Sequence, residues 1–109
     1  MRYAQEAAMS RYKMEDGTVI DTKNASAEWD DKSEFDGRNM ISIATGSQWR
    51  DATLYRSRKG RYYVEHRSRV QGEHDHAEWV SPQEAARWLL AQSIELPDDL
   101  KKFEAEIVE

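Results

Sequence analysis

RDATLYRSRKGRYYVEHRSR, residues 50–69, decides the fold, because its apolar residues alternate on both sides of a single glycine. It reads as a β-hairpin with strands near Ala52–Ser57 and Arg61–Arg67, joined through Arg58-Lys59-Gly60. If Gly60 takes the left-handed conformation of a three-residue loop, Ser57 faces Arg61, Tyr55 pairs with Tyr63 and Leu54 pairs with Val64. A two-residue Lys59-Gly60 loop would instead set Leu54 opposite Glu65, a worse match. The favoured register puts Leu54, Tyr62 and Val64 on the face expected to meet the core. Tyr55, Tyr63, Arg61, Glu65 and Arg67 take the other face, expected to meet solvent.

The same stretch is strongly basic. Arg50, Arg56, Arg58, Lys59, Arg61, Arg67 and Arg69 stand against only Asp51 and Glu65, a net +5 on a chain of net −5. The remainder therefore carries −10. Two accounts fit this hairpin. Arg56, Arg58, Lys59, Arg61, Tyr63 and Arg67 could form a partner-binding surface, with cations for phosphates or carboxylates and rings for stacking. The folding account is simpler: arginine stems cover aromatic rings, and edge charges deter strand-to-strand aggregation.

Working outward, SPQE at 81–84 is a helix start, with serine at the cap, proline at the first helical position and glutamate closing a capping box. Ala85, Trp88, Leu89 and Gln92 then recur at helical spacing. Leu96-Pro97-Asp98-Asp99 breaks that helix and starts a short one to about Val108, with Leu100, Phe103 and Ile107 on one side. Residues 70–77 read as a polar connection containing Gly72, and Glu78–Val80 as a brief strand. Upstream, Asp16-Gly17 between residues 11 and 21 signals a hairpin with a type I′ turn. Residues 22–36 read as a polar loop, with Ala25, Ala27 and Trp29 on one helical turn and with Trp29 and Phe35 anchored in the core. Asp36-Gly37 marks a turn. Asn39–Thr45 alternates as a strand with Ile41 and Ile43 inward, and Trp49 returns to the core.

A chain of 109 residues fits one domain. Four Trp, five Tyr and two Phe offset a modest 39% hydrophobic content, since each ring buries about 150–250 Å². Residues 1–10 are expected to fray, and residues 11–109 to form the domain. The absence of cysteine excludes disulfides and thiolate chemistry. No apolar run reaches the roughly 20 residues of a membrane span, and no signal peptide is visible, so a cytoplasmic location is expected. The overall negative charge argues against whole-surface nucleic-acid binding.

Other candidate chemistry is thin. His66, His74 and His76 are the candidate metal ligands, His74 and His76 sharing a face if extended and Glu73 or Asp75 adding oxygen, but no fixed spacing or second cluster supports them, and no metal or cofactor is expected. Ser47 in ATGSQW lacks the turn and partners of an activated nucleophile. The carboxylates read as solubilising surface. Glu95, Asp98, Asp99, Glu104, Glu106 and Glu109 outnumber Lys101 and Lys102. They either serve the helix N-terminus locally or imitate nucleic-acid phosphates toward a partner's basic groove.

Four motifs, ATGSQW at 44–49, LYR at 54–56, GRYY at 60–63 and SPQEAARWLL followed by ELP, resemble a family of small uncharacterised bacterial proteins found on phage, plasmid and other accessory DNA. The likeness spans roughly residues 20–100, and it implies an aromatic residue beside Gln71-Gly72, where this chain has Val70. What the resemblance implies is a binder from a mobile element, such as an anti-CRISPR-like inhibitor of a host complex.

The expectation is thus an α+β fold: a mainly antiparallel sheet of about four strands packed against a C-terminal helix, plus a short terminal helix. A non-enzymatic module that binds a protein partner is the leading functional expectation. A small nucleic-acid-binding module using the basic hairpin is the alternative.

Overall fold

Two hairpins closed by the same kind of loop organise the chain. In the computed structural model, which describes residues 11–109, β1 (Arg11–Lys13) pairs with β2 (Val19–Asp21), and β6 (Arg50–Arg56) pairs with β7 (Tyr62–Ser68). The fraying expected of residues 1–10 lies outside the described residues. In the first loop Met14 N donates to Thr18 O at 2.7 Å and Gly17 N to Met14 O at 2.9 Å. In the second, Ser57 N donates to Arg61 O at 2.7 Å and Gly60 N to Ser57 O at 3.0 Å. Each is a three-residue loop whose last residue is a left-handed glycine, with φ of 87° at Gly17 and 86° at Gly60. The type I′ turn expected at Asp16-Gly17 is therefore corrected: only the glycine adopts positive φ, because a three-residue loop needs it at one position.

The β6–β7 register is the one the apolar pattern favours, Leu54 opposite Val64 and Tyr55 opposite Tyr63. It sits in a four-stranded antiparallel sheet of order β3-β6-β7-β8, with β3 at Ala27–Asp30 and β8 at His76–Val80. β3 replaces the helical turn expected there. Trp29 pairs with Leu54 and packs on the core, while Glu28 and Asp30 alternate with it. A 3₁₀ turn at Thr22–Asn24 leads into it.

One face of the sheet holds the main core, formed by Ala52, Leu54, Tyr62 and Val64 against Ala85, Ala86 and Leu89 of α1 (Pro82–Ala91). The predicted capping box is present: Ser81 Oγ accepts from Glu84 N at 3.1 Å, and Glu84 Oε1 accepts from Ser81 N at 2.9 Å. Helix α1 ends in a Schellman arrangement, Ile94 N to Leu89 O and Ser93 N to Leu90 O, with Ser93 at φ 60° where glycine is usual. Leu96 and Leu100 close this core. The expected second helix is mostly 3₁₀, Asp98–Phe103, and continues into α2 (Glu104–Ile107).

The opposite face is covered as well. Hairpin β1–β2 lies on it, and Met14 and Ile20 pack with Tyr55 and Tyr63 into a second core backed by Tyr12, Ala25, Ala77 and Trp79. The expectation that this face meets solvent is corrected: Tyr63 is 1% exposed and Glu65 7%. Alternation with Arg61 and Arg67 disguised it as a polar face.

A third, small hairpin pairs β4 (Ser33–Phe35) with β5 (Met40–Ser42) around the expected Asp36-Gly37 turn, where Asp36 Oδ1 accepts from Arg38 N and Asn39 N at 2.8 Å. Ser42 is buried here and Ile41 and Ile43 only partly so, because the Ser42 hydroxyl is drawn to Asp31. Phe35 is 66% exposed and Trp49 53%, so neither anchors the core as expected. The architecture is α+β, with a four-stranded antiparallel sheet, α1 on one face and a short terminal helix. Among the described residues no helix is long and apolar enough to cross a membrane.

Candidate partner-binding site at the hairpin tips

The tips of hairpins β1–β2 and β6–β7 come together. Arg61, the first residue after the second loop, sends Nη1 to Asp16 Oδ2 of the first loop at 3.3 Å. Its guanidinium also lies over the Trp79 ring, 3.6 Å from the centroid, a cation–π contact favoured by the ring quadrupole. Trp79 meets Tyr63 edge-on at 5.7 Å, and Tyr63 stacks on Tyr55 at 5.1 Å. These three rings occupy register positions on neighbouring strands. They form a cross-strand ladder that Arg61 caps at one end.

Asp16 is held ionised at this junction. The Thr18 backbone N–H and side chain, with smaller help from Trp79 and Arg61, bring its carboxyl down to about 2. The buried Trp79 Nε1–H makes no hydrogen bond of normal geometry among the described residues, yet it lies near enough to favour the Asp16 charge.

Between the tips opens a cleft of about 290 Å³. Val19, Ile20 and Ala25 supply apolar lining, and Arg58, Lys59 and Arg61 supply positive charge. Asp21 also lines it, but its carboxylate accepts from Lys23 N at 3.0 Å and from Arg11 Nε at 3.2 Å. Val19 is 64% exposed.

The six residues singled out in the sequence do not form one surface. Arg56 lies opposite Tyr62, on the α1 side of the sheet, where Nε reaches Asp99 Oδ2 at 3.4 Å and Nη1 reaches Ser26 Oγ at 3.2 Å. Arg67 is half-buried on the other face, where it donates to Asp51 Oδ1 at 3.0 Å, Glu65 Oε1 at 2.9 Å and Thr53 Oγ1 at 2.7 Å. Tyr63 is buried rather than outward. Arg58 and Lys59 are exposed at the tip with no polar partner among the described residues, and Arg61 stands beside them. Parity along the strand already separates Arg56 from Arg61 and Arg67; the burial of Tyr63 has no such signal.

Elsewhere on the hairpin, Arg50 binds Glu73 bidentately and Arg69 Nη2 donates to Gln48 O at 2.5 Å. Four of the seven basic residues, Arg50, Arg56, Arg61 and Arg67, thus meet carboxylates of the folded chain. The sequence-level pole of +5 is largely neutralised internally.

Glu65 escaped notice in the sequence because it alternates with arginines. Buried under β1–β2, it accepts from Tyr12 Oη at 2.6 Å, Tyr55 Oη at 3.2 Å and Arg67 Nη1 at 2.9 Å. Burial first, then this carboxylate, pushes the Tyr12 and Tyr55 phenols well above their ordinary value. Such a filled carboxylate fastens the hairpin to the sheet. His76 stacks on His66 at 4.7 Å, and His66 Nε2 lies 3.0 Å from Glu78 Oε1. Among the described residues no group of three His, Asp or Glu is placed to hold a metal ion. No family model, curated protein or solved structure matches the chain.

Proposed function

We propose that the chain is a non-enzymatic binding module that engages a protein partner through the cleft between its two hairpin tips. The observation that carries this reading is the pairing pattern of the basic hairpin. Arg50, Arg56, Arg61 and Arg67 meet internal carboxylates and Arg69 a backbone carbonyl, whereas at the tip Arg58 and Lys59 rim an open cleft beside exposed Val19. Exposed cations next to apolar surface suit a protein interface, where apolar contact supplies affinity and charge steers approach. The non-enzymatic part rests on Glu65, the one buried carboxylate among the described residues, whose oxygens are already occupied by Tyr12, Tyr55 and Arg67. An inhibitor or modulator of a host complex would be one form of such a module. A nucleic-acid role has less support, since Tyr63 is buried and Arg61 already covers Trp79.

The test places a photo-crosslinking phenylalanine derivative at Val19 and irradiates the protein in an extract of its host. A discrete protein adduct is expected, absent when Arg58→Glu and Lys59→Glu are combined in a variant with an unchanged circular-dichroism spectrum. No adduct, or one indifferent to the charge reversal, would overturn the reading.

A further inference from the structure

Resting on that reading, we infer that the occupant of the tip cleft is an acidic peptide segment carrying apolar side chains. Charge selects the acidic character. Arg58 and Lys59 have no polar partner among the described residues, and Arg61 carries a third positive charge into the same cleft, tied to Asp16 by one contact at 3.3 Å. Asp21, the one lining carboxylate among the described residues, already meets Arg11 and the Lys23 amide. Covering these cations with a purely apolar partner would strip their water without replacement, which is costly.

The lining selects the apolar side chains. Val19, Ile20 and Ala25 line the cleft next to the cations, and Val19 is mostly exposed. A polyanion with no apolar groups would leave that surface wet. A nucleic acid fits worse, because its bases need a free ring face, and here Tyr63 is buried and the Trp79 face is under Arg61. The −10 carried outside the hairpin also repels a long polyanion more than a short acidic segment. The internal chemistry sets the precedent: this hairpin's arginines have carboxylates as their partners at four positions.

The probe is a fluorescein-labelled peptide about ten residues long, alternating Glu and Leu, followed by anisotropy on the full chain. Its comparators are the Gln-Leu peptide, an all-Glu peptide and a uridine oligonucleotide of the same length. The Glu-Leu peptide is expected to bind saturably and at least about tenfold tighter than the Gln-Leu one, weakening as salt rises from about 0.02 to 0.15 M. Arg58→Glu with Lys59→Glu abolishes the preference, while Val19→Ser weakens Glu-Leu binding but leaves all-Glu binding unchanged. Equal binding of the Gln-Leu peptide, tighter binding of the oligonucleotide, or no saturable binding overturns the inference. If the Val19 cross-link still forms in a charge-dependent way while the peptide fails, the partner reading stands and the acidic-segment inference alone falls.

Discussion

Glu65 shows how one residue joins two layers. Its carboxylate sits on the sheet face that hairpin β1–β2 covers, and each donor around it comes from a different place: Tyr12 from β1, Tyr55 from β6 and Arg67 from its own strand. A buried charge is tolerable only when its partners are all in position, and removing one member leaves the others unpaired. Glu65→Ala is therefore expected to cost about 3 kcal/mol, read as a lowered urea midpoint. Tyr12→Phe, which deletes one hydroxyl, should cost about 1 kcal/mol. Equal, small effects from both would mean that the network contributes little. Arg61 works differently. It is half exposed and makes one long ion pair, so its value lies in covering Trp79 and in leaving donors near the cleft.

At the scale of elements, the β4–β5 hairpin stands apart. It is two strands of three residues, below what is stable alone. A polar hub at its base holds it. Asp31 accepts from Ser42 Oγ, from Ala44 N at 3.2 Å, from Ala52 N at 3.3 Å and from Gln92 Nε2 at 3.0 Å, while Gln92 Oε1 accepts from Lys32 N at 2.9 Å. The hub ties the small hairpin to β6 and to the end of α1, adding hydrogen bonds to the partial burial of Ile41. Phe35 and Met40, paired across it, remain exposed. Replacing both, Phe35→Ser with Met40→Ser, is expected to shift stability by no more than about 0.5 kcal/mol. Gln92→Ala should cost about 2 kcal/mol by leaving Asp31 and Lys32 N short of partners. Thermal melts of the two variants check both, and a large loss from the first would place Phe35 in a core.

Across the whole molecule, opposite charges separated in the sequence meet in the fold, which predicts a window of pH stability. Arg50 and Ser68 hold the Glu73 carboxyl down at about 2 from an ordinary 4.5, and the Thr18 contacts do the same for Asp16. A depressed carboxylate contributes stability that is present above its ordinary value and is lost as pH falls toward 2. On the alkaline side, burial pushes the Tyr63 phenol up to about 12 from 10.0, so its contribution is present below 10 and is lost as pH rises toward 12. The urea midpoint should hold between these limits and fall at both ends. Glu73→Gln should flatten the acid limb between 4.5 and 2 without changing the alkaline one; an unaltered acid limb would refute the role of that pair. The β6–β7 register, the Gly60 loop, the capped α1 helix and the α+β class were legible in the residues alone, because alternation, a left-handed glycine and a capping box are local signals. The sequence could not show that Tyr63 and Glu65 are buried, that Trp29 lies in a strand, or that Arg50, Arg56, Arg61 and Arg67 find carboxylates. Those outcomes depend on which distant segments land on each sheet face. Only the tertiary structure, by spending most of the basic hairpin's charge inside the molecule, left Arg58 and Lys59 at a cleft between two tips.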